Sequence, residues 1–222
     1  MALLGIAVIG QAPRADIAAL FAAALPHPTE VVLRGCLDGL SDPEVDALPP
    51  ESGADTLYTR LRGERDVKIS KAAVIARAPA TLAQLRADGA DALVFACTGA
   101  FPPMPGDAGV VFPSRILAGL AAALLPRGRL GLLVPAPEQI EKLSQKWRRE
   151  GVEVVAEALL PSAGEAEAEA AAARLADRRP DLVAMDCMSY TPTAKAVVKR
   201  GVRVPTLLAV TATAAVLQEL LA

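Results

Sequence analysis

Histidine is nearly absent from this chain of 222 residues, which carries only His27, between two prolines. A Ser-His-Asp or Cys-His pair would have to use that single turn, so such hydrolases are not indicated, and we expect His27 to lie in a surface turn. The chain also lacks CxxC, HExxH, GxxxxGK and GxGxxG patterns. We therefore predict no metal site, no nucleotide site, and either a reaction without a cofactor or no reaction at all.

Further absences limit where the protein works and what it binds. No apolar run approaches the ~20 residues of a membrane span, so a membrane is not an expected partner. No basic stripe is present at a formal net charge of −2, so nucleic acid is not expected either. The amino terminus lacks the basic leader of a signal peptide, and three cysteines without tight spacing form no disulfide framework. These features favour a cytoplasmic location.

Aromatic residues make up only 3% of a chain that is 53% apolar, so Ala, Leu and Val must build its core. This composition favours helices packed on a parallel sheet over a β-sandwich. Short apolar runs alternate with helical patterns along the chain, which predicts an α/β fold of right-handed βαβ units. Ligands of such sheets bind beyond the carboxyl ends of the strands.

Two apolar runs resemble copies of each other. Asp91–Cys97 (DALVFAC) aligns position for position with Asp181–Cys187 (DLVAMDC). Upstream of each run, Leu4–Val8 (LGIAV) resembles Leu130–Val134 (LGLLV). The sequence therefore predicts an internal repeat in which each copy builds one half of a pseudo-symmetric molecule.

This repeat gives the cysteines a chemical interpretation. We predict halves at 1–118 and 119–222, with a last helix able to cross back to the first half, and Cys97 and Cys187 facing each other across a cleft. Two thiols on opposite sides of a carbon atom suit proton removal on one face and delivery on the other. Backbone N–H groups at helix starts can stabilise enediolate-like charge and lower a thiol pKa without histidine. The competing interpretation is that each cysteine only fills space in the core. Cys36 has no partner in the repeat and is assigned to packing or to a loop surface.

Other polar residues near the strand ends have two interpretations each. Arg14 and Arg115 either grip a carboxylate or lie solvated at a helix start. Ser114 is predicted as a helix cap rather than a ligand contact. Asp186 is out of phase with the neighbouring cysteine and is predicted to pair structurally on the other face. Trp147 is interpreted as a packing residue.

Local signals place several helix ends. The segments Ser41–Glu44 and Ser162–Glu165 match capping boxes. Gly201 is predicted to end the helix before it. Pro79 is predicted to kink another helix or split it in two.

Several short segments spread over nearly the whole chain resemble those of one family. They are Gly10–Arg14 (GQAPR), Gly35–Leu40 (GCLDGL), Cys97–Pro102 (CTGAFP), Pro113–Arg115 (PSR), Val134–Pro135 (VP), Gln145–Trp147 (QKW) and Asp186–Tyr190 (DCMSY). On these residues the chain resembles the AroM family, within the aspartate/glutamate/hydantoin racemase superfamily. That superfamily includes amino-acid and hydantoin racemases, maleate isomerases and arylmalonate decarboxylases.

The resemblance implies a fold, a chemistry and a set of site residues. The fold is two three-layer α/β halves with mainly parallel sheets and a cleft between them, and a homodimer is expected. No organic cofactor is implied, and Cys97 and Cys187 are the catalytic pair, as acid and base or as nucleophile. Thr98 and Gly99 are expected to bind substrate through a hydroxyl and a backbone N–H. The full set of expected substrate-binding residues is Gln11, Pro13, Arg14, Thr98, Gly99, Ser114, Arg115, Pro135, Met188, Ser189 and Tyr190.

The chain also departs from the amino-acid racemases, in which Asn-Thr commonly follows the first cysteine and the second lies in Gly-Cys-Thr. Here Thr98 and Gly99 follow the first, while Asp186 and Met188 flank the second. The substrate, a small carboxylate, can therefore equally be a dicarboxylate or a hydroxy or keto acid. Two interpretations stay open: a cofactor-independent racemase, isomerase or decarboxylase, and a binding or regulatory protein without the chemistry. A thiol redox protein is a third, weaker interpretation.

Overall fold

The computed structural model describes residues 2–25, 29–63 and 65–222, so the predicted turn at His27 lies outside the described residues. The chain divides into two compact units. The first comprises Met1–Phe112 together with Ala215–Ala222, and the second comprises Pro113–Ala214. The sequence placed the division after residue 118; it falls before Pro113 because the helix that begins there folds as part of the second unit.

The first unit is built on a parallel sheet with an added hairpin. Its elements in chain order are β1 (Leu3–Val8), α1 (Ala15–Ala24), β2 (Glu30–Gly35), α2 (Asp42–Asp46), β3 (Thr56–Arg60), β4 (Asp66–Ser70), α3 (Lys71–Ala87), β5 (Ala92–Phe95) and β6 (Val110–Val111). The four sheet strands lie in the order β2-β1-β5-β6, while β3 and β4 pair antiparallel as a separate ribbon.

The second unit has a sheet of the same design. Its elements are α4 (Pro113–Leu124), β7 (Gly128–Val134), a 3-10 turn (Pro137–Gln139), α5 (Ile140–Trp147), β8 (Val152–Ala158), α6 (Glu165–Asp177), β9 (Leu182–Met185), α7 (Pro192–Val202), β10 (Thr206–Leu208) and α8 (Ala209–Leu221), which continues into the residues assigned to the first unit. The strand order is β8-β7-β9-β10, all parallel. In each unit the first strand is central, flanked by the second and third.

The repeat extends to individual hydrogen bonds. The Asp91 N–H donates to the Leu3 carbonyl at 2.9 Å, and the Asp91 carboxylate accepts the Leu3 N–H at 2.8 Å. Asp181 makes the same two bonds with Arg129, both at 2.8 Å. The copied sequence runs therefore form copied structures, as predicted.

The copied glycines of the central strands lie where a side chain has no room. A Cβ on Gly5 would lie 2.5 Å from Leu93 Cδ2, and a Cβ on Gly131 would lie 3.1 Å from Val183 Cγ2. Leu93 and Val183 are the paired residues on the neighbouring strands β5 and β9. Because Gly5 and Gly131 have no side chain, the neighbouring residues pack directly against the backbone of the central strand at the equivalent position in each unit.

Three predicted helix boundaries were wrong. Helix α7 continues through Gly201 to Val202 and ends at Arg203, whose φ of 57° supplies the left-handed cap. Helix α6 begins after Gly164, whose N–H donates to Glu167, because a turn closed by the Ala163 N–H and the Leu160 carbonyl holds Ser162 outside the helix. Ser114 is not a cap: Pro113, pre-set for helical φ, already begins α4.

Two other local predictions can be compared directly with the structure. The capping box at Ser41 is confirmed, since its N–H and hydroxyl donate to Glu44 Oε2 at 2.7 and 2.6 Å. Helix α3 runs continuously from Lys71 to Ala87 with Pro79 inside it, so the predicted split into two helices does not occur.

The core of the first unit forms between the sheet and α3. Phe95 of β5 stacks on Phe112 with ring centroids 5.6 Å apart and meets Phe101 edge-on at 4.9 Å. The chain has few aromatic residues, and these three phenylalanines cluster at the carboxyl edge of the sheet. Among the described residues, none of the helices is both long enough and apolar enough to cross a membrane.

Candidate functional site

Cys97 lies two residues beyond the end of β5, at the carboxyl edge of the first sheet. The residue is partly exposed, and its side chain packs against the core of the first unit. The Gly99 N–H points at the Cys97 Sγ, with nitrogen and sulfur 3.3 Å apart. A Cβ on Gly99 would meet Phe101 at 3.2 Å and this sulfur at 3.3 Å, so a residue without a side chain keeps the N–H close to the thiol.

Cys187 occupies the equivalent place in the second unit, two residues beyond the end of β9. It is also partly exposed, and the Ser189 N–H approaches its Sγ at 3.5 Å. Each thiol thus receives a backbone N–H from the residue two positions on. Such a donor favours the thiolate over the thiol, because it stabilises the charged form.

The residue before Cys187 carries a buried carboxylate. The Asp186 side chain is fully buried, and Lys146 Nζ contacts its two oxygens at 2.9 and 2.6 Å. Trp147 Nε1 donates to Asp186 Oδ2 at 2.8 Å. The predicted structural pairing of Asp186 is therefore confirmed, and Trp147 is a hydrogen-bond donor as well as a packing residue.

The loop after β9 is anchored by Tyr190. Its side chain is buried, and its hydroxyl donates to the Leu159 carbonyl at 2.5 Å. Burial and the neighbouring Cys187 and Asp186 raise the pKa of Tyr190, so it stays protonated. Met188 is buried as well. The structure thus uses two of the predicted substrate-binding side chains, at least in part, to hold the loop.

The loop after β1 holds Gln11 in a similar way. Gln11 is buried; its Nε2 donates to the carbonyls of Leu37 and Leu40, and its Oε1 accepts the Arg62 N–H at 3.3 Å. These bonds use both ends of the amide to join three segments of the first unit. The Ala12–Pro13 peptide bond that follows is cis.

The loop after β1 is also fixed by Asp38, which lies in the loop after β2, and it ends at Arg14 before helix α1. The Asp38 carboxylate accepts the N–H groups of Ala12 and Gly35, both at 2.7 Å. Sequence patterns did not reveal the bond to Ala12, because Ala12 lies 26 residues away in the chain. Arg14 forms a bidentate pair with Asp16 at 2.8 and 2.6 Å, and its side chain is only 11% exposed. A carboxylate ligand at Arg14 would therefore have to compete with Asp16.

Three of the remaining predicted site residues, Ser114, Arg115 and Pro135, lie in the second unit, and Thr98 lies in the first. Ser114 is buried in the first turn of α4, and Arg115 beside it is exposed. Pro135 follows β7 directly and is partly exposed. Since β7 and β9 are parallel neighbours, Pro135 and the Cys187 loop share one edge of the sheet. Thr98, next to Cys97, is buried at the matching edge of the first sheet.

Gln139 is a polar residue at this edge that was not among the predicted site residues. It lies in the 3-10 turn after β7, and its Oε1 is buried with no hydrogen-bond partner among the described residues. An orphaned acceptor is costly unless water or a ligand donates to it. No local pattern marks such an atom, because its burial depends on the packed loops around it.

The third cysteine differs from the other two. Cys36 is buried, and burial raises the pKa of its thiol to about 12. The thiol therefore stays protonated at neutral pH, in agreement with its assignment to packing. In the part of the chain that the structure describes, no three His, Cys, Asp or Glu side chains cluster as metal ligands.

The fold is shared with known enzymes. Unliganded arylmalonate decarboxylase superposes with a TM-score of 0.65 at 14% identity, covering 100% of this chain and 93% of that one. Maleate isomerase Iso from Pseudomonas putida S16 gives 0.64 at 15% identity, covering 99% and 92%. Glutamate racemase from Francisella tularensis subsp. tularensis SCHU S4, in complex with D-glutamate, gives 0.56 at 15% identity, covering 99% and 81%. These similarities confirm the predicted racemase-like α/β fold with two halves. The structural neighbours are thus a decarboxylase, an isomerase and a racemase.

The sequence itself identifies the family. The model of the AroM protein family matches residues 4–221, so the chain belongs to the AroM family, as its motifs predicted. No protein with a curated description matches the sequence.

Proposed function

We propose that this protein catalyses proton transfer at a carbon atom of a small carboxylate, without an organic cofactor, using Cys97 and Cys187 as acid and base. The reaction class is racemisation, isomerisation or decarboxylation. The observation that carries the proposal is the copied thiol: each cysteine follows the third strand of its sheet and receives an N–H from the residue two positions on. Two independent core cysteines would have no reason to share this arrangement.

The chemistry requires stabilisation of charge as well as a base. Removing a proton beside a carboxylate builds enediolate-like charge on the carboxylate oxygens, which N–H and hydroxyl donors must balance. The loops that follow β5 and β9 offer such donors, from Thr98 and Gly99 in one unit and from Ser189 in the other. The further substrate-binding set that we propose is Gln11, Pro13, Arg14, Ser114, Arg115, Pro135, Met188 and Tyr190. Gln11 and Tyr190 would act through the loops they hold, because their polar atoms already bond within the chain.

The test is exchange of substrate hydrogen with solvent. The protein is incubated in D₂O with arylmalonates, maleate, D-glutamate and simple hydroxy and keto acids, and deuterium at carbon is followed by NMR. We expect incorporation with the unmodified chain and with the control Cys36→Ala. Cys97→Ser and Cys187→Ser should each lower the rate by about 100-fold or more, the usual contribution of a general acid or base.

The same samples separate the competing interpretations. Incorporation that persists in both serine variants would refute the acid–base assignment. A carboxylate that raises the melting temperature of all variants, without turnover, would instead show a binding protein. Formation of a Cys97–Cys187 disulfide at cytosolic redox potentials would support the redox interpretation.

We also propose that the protein is a homodimer in the cytoplasm. In helix α8, Leu217 is buried whereas Leu220 is 53% exposed. Light scattering coupled to gel filtration measures the oligomeric state, and the mass of a monomer at micromolar concentration would refute the dimer.

A further inference from the structure

The antiparallel ribbon of β3 and β4 lies over the loops at the carboxyl edge of the first sheet. A Cβ on Gly10, in the loop after β1, would lie 2.5 Å from Thr59 Oγ1. A Cβ on Gly99, in the loop that carries Cys97, would lie 3.4 Å from Leu57 Cδ2. Strands β1 and β5 are parallel neighbours, so both loops leave the same edge of the sheet. The ribbon thus places its residues beside the edge where ligands of such sheets bind.

Arg62 follows β3, and two hydrogen bonds fix it to the loop after β1. Its N–H donates to Gln11 Oε1 at 3.3 Å, and its side-chain Nε donates to the Ala12 carbonyl at 3.0 Å. The Ala12 N–H in turn donates to Asp38 at 2.7 Å, so Ala12 is held through both of its backbone groups. The guanidinium of Arg62 is therefore attached at Nε to a fixed part of the backbone.

The outer end of this guanidinium has no partner in the part of the chain that the structure describes. Arg62 is exposed, and the two bonds from its N–H and its Nε are all that it donates there. The N–H groups of Nη1 and Nη2 form a planar fork that matches the two oxygens of a carboxylate. An arginine already held at Nε also loses less conformational freedom on binding a ligand than a mobile surface arginine does.

The other arginines around this loop and ribbon already have carboxylate partners. Arg14, Arg60 and Arg65 each have an aspartate oxygen within 2.9 Å of the guanidinium. Arg62 differs from them, since none of the described carboxylates pairs with it. A ligand carboxylate would have to compete with an aspartate at Arg14, whereas at Arg62 it would displace no acidic group of the described residues.

We propose that Arg62 binds a carboxylate of the substrate through Nη1 and Nη2, at the sheet edge that carries Cys97. This assignment rests on the proposed function and names the residue that holds the charged end of its small carboxylate. Arg62 takes no part in proton transfer; it supplies binding energy and fixes the orientation of the substrate.

The first test measures Arg62 in the unmodified full chain. Phenylglyoxal, which adds to free guanidinium groups, is applied with and without the carboxylates of the deuterium assay, and peptide mass spectrometry follows each arginine. Arg62 should react faster than Arg14 and Arg60, whose guanidinium groups are paired. A carboxylate present at about ten times its Kd should slow the reaction at Arg62 by about tenfold and leave that at Arg60 unchanged.

The second test compares variants by isothermal titration calorimetry with the same carboxylates. Arg62→Gln should weaken binding by about 10- to 100-fold, the usual contribution of hydrogen bonds to a charged group. The matched control Arg60→Gln removes the same charge from the same ribbon and should change Kd less than about twofold, because solvent screens an exposed charge. Arg62→Lys keeps the charge without the fork and should restore only part of the affinity.

A purely structural role for Arg62 makes a different prediction. Loss of the bond to Ala12 alone would lower the melting temperature of Arg62→Gln and leave its Kd unchanged. With a carboxylate that is turned over, a binding role should raise KM more than it lowers kcat. If Arg62→Gln fails to fold, protection of Arg62 in the unmodified chain still decides.

The outcomes separate this assignment from the proposed function. An unchanged Kd in Arg62→Gln, or an Arg62 that no bound carboxylate protects, would overturn the assignment. Binding through Arg62 without deuterium exchange on any carboxylate would refute the proposed function and leave the assignment intact. Deuterium exchange with an unchanged KM in Arg62→Gln would refute the assignment alone. If no carboxylate binds at millimolar concentration, both are refuted.

Discussion

Replacement of Gly201 by alanine should destabilise the protein, although alanine is the better helix former. Gly201 lies inside helix α7, and a Cβ built there would be 2.6 Å from the Cβ of Ala172 in α6. Ala172 is itself fully buried. The two helices therefore meet at a point where only hydrogen fits on one side.

The magnitudes of the two effects decide the sign. Alanine gains about 1 kcal/mol over glycine in a helix interior. Two carbon atoms in contact need ~3.5–4.0 Å, so the helices would have to separate by roughly 1 Å. Overpacking of this kind typically costs about 1–3 kcal/mol, and no side-chain rotation can relieve it because both groups are methyls on the backbone. We expect a net loss of up to about 2 kcal/mol.

Urea unfolding followed by circular dichroism measures this loss, and Gly119→Ala is its matched control. Gly119 also lies inside a helix, α4, but nothing is within 4 Å of its Cβ position, so that variant should gain about 1 kcal/mol. Removing the opposing methyl with Ala172→Gly in the Gly201→Ala background should relieve the steric part of the loss, which a double-mutant cycle isolates. If Gly201→Ala were as stabilising as Gly119→Ala, the close-contact argument would be refuted.

Two further outcomes follow from buried polar groups. Tyr190→Phe removes the donor to the buried Leu159 carbonyl and should lower the free energy of unfolding by about 1–3 kcal/mol; an unchanged urea midpoint would contradict this. The pKa of Cys36 is raised in the folded state from 9.0 to about 12, so its contribution to stability is complete below pH 9. Between pH 9 and 12 the unfolded thiol ionises while the folded one does not, so stability should fall by up to about 1.4 kcal/mol per pH unit. Cys36→Ala should flatten that part of the profile, and an unaltered slope in this variant would exclude Cys36 as its source.

The sequence predicted those parts of the structure that depend on local pattern and on copying. The aligned runs ending at Cys97 and Cys187 became equivalent strand ends, because both are continuous apolar runs buried along their length and both begin with the same aspartate bonds. Asp186 was predicted to pair structurally, and its carboxylate accepts hydrogen bonds from Lys146 and Trp147.

What the sequence did not show depends on contacts between distant residues. Lys146 reaches Asp186 from helix α5, and Asp38 in the loop after β2 bonds Ala12 in the loop after β1. No local spacing can reveal either contact. The sequence alone does not show which role Gly201 has, because a glycine near the end of a helix can either cap the helix or allow a neighbouring helix to approach closely. In this protein Gly201 provides the close contact between α6 and α7. The left-handed cap is formed by Arg203, a conformation that is energetically less favourable for arginine than for glycine.

The aligned strand ends differ in charge at one position, since Ala96 of the first unit corresponds to Asp186 of the second. An enzyme that interconverts mirror images must start equally well from either one, so each sulfur has to take its turn as acceptor. Because Asp186 precedes Cys187 whereas Ala96 precedes Cys97, exchanging the roles of the two sulfurs does not exchange identical surroundings. Equal rates from both mirror images would therefore have to arise from a balance between two different sets of surroundings.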